Sequence, residues 1–234
     1  MIKLSERLKI IANEIEAGET VADIGTDHGF LPIFLWENKI SPKVIMSDIS
    51  SGSLKKAEDN CKELYPYETF DLRLGNGIEV LTDKEVDNIV IAGMGGILMT
   101  EILGSDIKKA KGFKKIVLQP RNNIGFLRHW LLNNGFSVSN EQLVREGKYI
   151  CEVLTVIPKE IAVTRSMGSE RIEYQFPLTL TNFAGPLTKE YLSNKLEAEG
   201  LILQNMEKGN NVSPKELRSQ KYRIDYIERL INIL

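Results

Sequence analysis

Residues 20–35 read TVADIGTDHGFLPIFL, and this stretch decides the fold. The apolar run Val21-Ala22-Asp23-Ile24 stops at Gly25, and Thr26, Asp27, His28 and Gly29 follow before a second apolar run begins. The first run has the length of a buried strand and the second the start of a helix. A strand that ends on glycines and acids and turns straight into a helix is the opening unit of a parallel α/β sheet. Glycines let a ligand approach the backbone. Two carboxylates in the same turn, Asp23 and Asp27, favour a ligand that carries positive charge.

The same alternation continues outward. KVIMSDI (43–49), FDLRLGN (70–76), VDNIVIAGMGG (86–96) and KKIVLQP (114–120) read as four more strands, and SSGSLKKAEDNCKEL (50–64) as a helix with a serine-rich cap. FSVSNEQLVREGKYICEVLTVIP (136–158) reads as two strands turning near Glu146-Gly147-Lys148, an antiparallel hairpin closing a mostly parallel sheet. Upstream, Leu4, Leu8, Ile11 and Ile15 share a helical face, which predicts a surface helix running to Gly18. Beyond about Pro158 the chain looks irregular as far as about Pro186. Two helical patterns follow, about 187–208 and 214–234, with Ser213-Pro214 as cap and first helical residue of the second. Leu217, Ile224, Ile227, Leu230 and Ile231 keep an apolar stripe there, so a C-terminal α-helical hairpin is expected.

The 234 residues are 42% hydrophobic and 26% charged, enough for one large domain or a domain with an appendage. No stretch resembles a secretion signal or a membrane span. Cys61 and Cys151 stand far apart and make no metal-ligand pattern, so a reduced, cytoplasmic protein without a metal is expected. The net charge of −2 argues against a general polyanion coat and leaves room for a local basic patch. No obligate protein partner is evident.

A parallel α/β sheet binds ligands at the carboxyl ends of its strands. There the chain places Asp23, Gly25, Asp27 and His28, then Asp48 and Ile49, then Asn76 and Gly77, then Gly93 and Met94, then Gln119 and Arg121. An acid after the second strand is suited to ribose hydroxyls, which fits any nucleoside cofactor. A nicotinamide dinucleotide ordinarily takes G-x-G-x-x-G so that its pyrophosphate sits on a helix N-terminus. Here the pattern is D-x-G-x-x-x-G, and Asp27 would repel a phosphate. S-adenosylmethionine has no phosphate and carries a sulfonium and an ammonium, so both acids attract it.

VADIGTDHGFLP, GNGIEVL, IVIAGMGG and LQP, in this order, with FAGPL opening the C-terminal helices, resemble the bacterial tRNA (adenine-22-N1)-methyltransferases of the TrmK type. The resemblance spans nearly the whole chain. It implies a Rossmann-like class I methyltransferase domain over residues 1–160 and a coiled-coil-like helical domain over 161–234 that helps hold tRNA. The implied reaction moves a methyl group from S-adenosylmethionine to N1 of adenine 22, by in-line displacement at the methyl carbon, on a base turned out of its stack. Relatives often carry Asp where this chain has Asn76, and tend to carry Asn where it has Arg121. The cofactor set is then Asp23, Gly25, Asp48, Ile49, Asn76, Gly77, Gly93 and Met94. Asp27 is the candidate catalytic residue. Adenine N1 has a lone pair and needs no base, and a carboxylate on the exocyclic amine would orient N1 and balance the cationic product. The substrate set is His28, Gln119, Arg121 and, on the last helix, Lys215, Arg218 and Lys221, with Arg223 in the same basic set. Lys108, Lys109, Lys111, Lys114 and Lys115 offer a second basic run. The competing readings are a methyltransferase acting on another RNA site, a small molecule or a protein, and a non-catalytic RNA-binding protein.

Overall fold

The computed structural model describes residues 2–159, 168, 170–183, 185–209 and 212–234, with the side chain of residue 183 left aside. The chain divides into two compact units, residues 1–169 and 170–234. In chain order the first unit runs α1 (Glu6–Asn13), β1 (Val21–Ile24), α2 (Phe30–Glu37), β2 (Val44–Asp48), α3 (Ser51–Leu64), β3 (Asp71–Leu74) and a 3-10 turn (Gly77–Val80). It continues with β4 (Asn88–Met94), α4 (Gly96–Gly104), α5 (Ile107–Ala110), β5 (Lys115–Pro120), α6 (Ile124–Asn133), β6 (Phe136–Glu146) and β7 (Tyr149–Pro158).

The strands form one sheet in the order β3-β2-β1-β4-β5-β7-β6. β1 to β5 are parallel, and β7 runs antiparallel between β5 and β6. The chain winds outward from β1 to β3, then crosses back so that β4 lies on the other side of β1. That reversal opens a crevice at the carboxyl ends of β1 and β4. The strands read as unbroken apolar runs because both faces are covered. Ile89, Ile91, Ile116 and Leu118 face one core with Met99, Leu103, Leu127 and Leu131 of α4 and α6. The alternate residues Val21, Val44, Val90 and Val117 face the other with Ile11, Leu31 and Leu35 of α1 and α2.

Two departures from the sequence expectations have physical causes. The first helix ends at Asn13, well short of Gly18, and it is a surface helix whose apolar face lies on the core. Its apolar stripe is buried, and the Glu14 carboxylate just past its end accepts hydrogen bonds from Asn140 (2.9 Å), Gln142 and Thr155 of the β6–β7 hairpin. α4 and α6 carry no sequence assignment, because GILMTEILG is apolar almost all round and shows no periodicity. The hairpin is held from the other face as well. Arg128 of α6, itself buried, donates to both Glu141 of β6 and Glu152 of β7.

The second unit contains α7 (Ile172–Gln175), a 3-10 segment (Leu178–Phe183), α8 (Pro186–Lys208) and α9 (Pro214–Ile233). The short helices fall where the sequence looked irregular, and much of the remaining stretch, like Ala184 of FAGPL, lies outside the described residues. α8 and α9 pack as an antiparallel pair, with Gln220 donating to Glu199 at 2.7 Å and Ile227 and Leu230 buried. Ser213 and Glu216 form a reciprocal capping box on α9. Ser213→Ala should cost about 1 kcal/mol, read as a lower urea midpoint for the full chain followed by helical circular dichroism. An unchanged midpoint would show that the cap is not holding α9.

Candidate active site

The carboxyl ends of β1 to β5 meet in a set of close backbone packings. Gly25 has φ +83°, and a Cβ there would lie 1.9 Å from Met94 Cε, so the β1 turn admits only glycine beneath that side chain. The backbone N–H groups of Gly25 and Thr26 both donate to the Ser47 carbonyl at 2.8 Å, tying the β1 turn to β2. Arg121 N–H donates to the Met94 carbonyl (2.8 Å) and Gly96 N–H to the Asn122 carbonyl (3.0 Å), which locks the β4 and β5 loops together. At Gly96 a Cβ would meet the Asn123 carbonyl oxygen at 2.7 Å. The GMGG run is therefore needed for loop-to-loop packing in addition to any ligand.

Asp23 stands half-buried on β1. Burial pushes its carboxyl up to about 6; the nearby Thr26 hydroxyl and the positive Arg7 pull the other way, and the charge of Asp48 adds to the rise. The Thr26 hydroxyl is itself buried and reaches no partner at full hydrogen-bonding geometry. At the end of β2 the Asp48 carboxylate accepts from Ser50 N–H at 2.6 Å, and Ile49 is exposed beside it. Asn76 is exposed past β3, its amide 3.5 Å from Glu79 Oε1, and Gly77 follows with φ +53°. Gly93 has φ +76°, and the exposed Arg121 guanidinium lies 3.7 Å from where its Cβ would be.

Asp27 projects from the turn with its side chain 55% exposed. It makes no helix cap: the cap of α2 is Gly29, without a side-chain hydrogen bond. Its carboxylate accepts from Lys56 Nζ of α3 at 2.9 Å and lies 3.2 Å from His28 Nε2. The Lys56 bond holds the Asp27 carboxyl below its usual range. His28 stacks on Phe30, rings 5.2 Å apart, and its carbonyl accepts from Asn60 at 2.9 Å.

The fold thus gathers Asp23, Gly25, Asp27, His28, Asp48, Ile49, Asn76, Gly77, Gly93, Met94 and Arg121 along the carboxyl edge of one sheet. Gln119 lies there too, but buried. Its oxygen accepts from Arg7 Nη1 (3.1 Å) and its amide donates to the Pro120 carbonyl (3.0 Å). Arg7 was missed in the sequence reading. It reaches this edge from α1, with its Nε on Glu146 at the end of β6. The signal was available: Arg7 stands three residues after Leu4 and four before Ile11, on the stripe that becomes buried. Lys215, Arg218 and Lys221 are exposed on α9 of the second unit, Lys221 lying 3.6 Å from Glu207. Arg223 is instead held by Glu199 and Gln175.

The basic run at 108–115 is largely spent on structure. Lys109 donates to the Leu81 carbonyl (2.8 Å), Lys114 pairs with Asp87 (2.8 Å), and Lys115 pairs with Glu16 and Glu19 (3.1 and 3.0 Å). Three of the five lysines of that run thus already have carboxylate or carbonyl partners. Among the described residues no group of His, Cys, Asp or Glu is arranged to hold a metal, and no helix is long and apolar enough to cross a membrane.

Comparison with known proteins agrees with this geometry. A family described as a methyltransferase domain matches residues 4–154. The chain is 33% identical over 153 residues to the tRNA (adenine(22)-N(1))-methyltransferase of Bacillus subtilis. That alignment takes in 65% of this chain and 64% of the relative, so it spans just under two thirds of the relative's length. The crystal structure of the B. subtilis m1A22 tRNA methyltransferase TrmK superposes with a TM-score of 0.85 at 25% identity, over 99% of this chain and 100% of that one. M. capricolum TrmK, solved in complex with S-adenosyl-homocysteine, superposes with a TM-score of 0.80 at 25% identity, covering 98% of each chain. The chain belongs to the methyltransferase-domain family.

Proposed function

We propose that this chain transfers a methyl group from S-adenosylmethionine to N1 of adenine 22 in tRNA, acting in the cytoplasm. The observation that carries the reading is Asp23, a half-buried carboxyl one residue before the end of β1, at the carboxyl edge of the sheet with the charge of Asp48 nearby. Such a group welcomes a cation and repels a pyrophosphate. The buried Thr26 hydroxyl beside it and the side-chain-free backbone of Gly93, whose nearest neighbour is the end of the Arg121 side chain, also fit a nucleoside with a cationic tail.

When bound, S-adenosylmethionine supplies the electrophilic methyl carbon. Asp23 and Gly25 take its amino-acid end, Asp48 and Ile49 its ribose, and Asn76 and Gly77 its adenine, with Gly93 and Met94 as the pocket floor. Asp27 accepts a hydrogen bond from the exocyclic amine of the target adenine and turns N1 toward the methyl group. No protein base is needed, because N1 is deprotonated at neutral pH. His28 and Arg121 lie along the substrate's approach, and Gln119, clamped by Arg7, keeps the β5 loop in place. The helical unit, with Lys215, Arg218 and Lys221, serves to hold the tRNA backbone.

The test is nucleoside mass spectrometry with fragment mapping of unmodified tRNA incubated with the protein and S-adenosylmethionine. The expected product is 1-methyladenosine at position 22. Methylation at another position, or none at all with cofactor bound, would overturn the reading.

A further inference from the structure

The β6–β7 hairpin does not stop where the sheet stops. β7 pairs with β5 as far as Leu154 opposite Leu118, and then runs on toward its own beginning at Tyr149. β5 itself ends two residues later, at Pro120. At about 3.4 Å per residue, the hairpin tip stands on the order of 17 Å past Leu118 and about 10 Å past the carboxyl end of β5. β6 and β7 stay paired to Glu146 opposite Tyr149, so the projection is an ordered ribbon and not a loose loop.

A two-stranded ribbon beyond the edge of its sheet has little intrinsic stability, and this one is pinned close to its tip. Glu146 accepts from Arg7 Nε and from Ser5 Oγ (3.0 Å), and Arg7 also holds Gln119. The pinning consumes the carboxylate nearest the tip. Arg145, Lys148 and Tyr149 remain exposed there, Tyr149 by 64%, with Lys148 Nζ 5.2 Å from the Tyr149 ring centroid. Arg121 is exposed at the foot of the same wall, over Gly93. In a chain of net charge −2, the wall beside the site is cationic and aromatic.

We propose that this ribbon tip is a substrate-RNA contact, with Lys148 and Arg145 on phosphates that flank the target nucleotide and Tyr149 stacked on an unpaired base. The proposal rests on the reading that the substrate is tRNA. A folded RNA that inserts a base at the carboxyl edge must pass its backbone along any wall that rises there. Phosphate contacts and base–aromatic stacking are what such a wall offers.

Lys148→Ala and Tyr149→Ala, alone and together, test it in the full chain. Each single change should weaken tRNA binding about tenfold, within the range for one stacked base or one phosphate contact. Lys148→Ala should flatten the log-affinity against log-salt slope by about 0.9. Tyr149→Phe should restore binding, because stacking survives without the hydroxyl. S-adenosylmethionine affinity by calorimetry and turnover at saturating tRNA should stay within twofold, which shows an intact fold and site. Wild-type tRNA affinity and salt slope in the double variant would overturn the proposal. Wild-type protein that binds cofactor but neither binds nor methylates tRNA would overturn the function reading itself, a separate result.

Discussion

Asp27→Ala is expected to slow single-turnover tRNA methylation on the order of a hundredfold, the scale for losing one group that stabilises transition-state charge. Cofactor affinity should stay within a few-fold, since the cofactor's proposed contacts lie on β1, β2 and the β3 and β4 loops. Methylation of N1 turns a neutral purine into a cation, and a carboxylate on the exocyclic amine meets that charge as it forms. Asp27 is in the right state for this: Lys56 keeps it ionised, it is over half exposed, and it caps no helix. The rival role is an ion-pair anchor joining the β1 turn to α3. Two variants separate the roles. Asp27→Asn can still accept the hydrogen bond but cannot balance charge, and should be nearly as slow as the alanine variant. Lys56→Met removes the anchor and leaves the carboxylate, and should retain most of the rate. If Lys56→Met is as slow as Asp27→Ala, the carboxylate works through the anchor, and the catalytic role falls.

Much of this site was legible before any coordinates because parallel strands covered on both faces appear as unbroken apolar runs. The residues just past each run then mark the ligand edge. Asp23, Asp48, Asn76 and Gly93 were placed at that edge in this way. What stayed hidden depends on distant parts of the chain. Arg7 meets Gln119 and Glu146 across 112 and 139 residues of sequence, and only the closed sheet makes them neighbours. Met94 fills the space above Gly25, so the glycine demanded by a side chain on β4 looked like one demanded by a ligand alone. Lys109 and Lys115 read as part of a basic run because their partners, the Leu81 carbonyl and Glu19, arrive from other loops. α4 was invisible for the opposite reason: a helix buried nearly all round has no polar face to set a period. Periodicity reports the difference between two faces, so it is silent where the faces are alike.

Asp23→Asn should make the empty protein more stable at neutral pH and nearly abolish cofactor binding. Burial holds the Asp23 carboxyl at about 6, against an ordinary aspartate value of 3.8. The folded state therefore binds this proton more tightly than the unfolded chain does. Stability from this group is complete below about pH 4 and is lost as pH rises to about 6. Above that, the ionised carboxylate costs the empty fold roughly 3 kcal/mol, at 1.36 kcal/mol per unit. Asparagine carries no such charge. At pH 8 the Asp23→Asn protein should melt several degrees above wild type, and near pH 4 the two should converge. A bound cation changes the balance, because it pairs with the carboxylate that burial disfavours. Cofactor affinity in the wild type should thus fall as pH is lowered through about 6. In Asp23→Asn it should be weaker by at least about a hundredfold and lose that pH dependence, as expected for a charged hydrogen bond together with the burial cost it offsets. Thermal scans of the empty proteins at pH 4, 6 and 8, with calorimetry of S-adenosylmethionine at the same pH values, measure both effects. An Asp23→Asn protein less stable than wild type at pH 8 and binding cofactor as well would mean that Asp23 is a structural residue of β1.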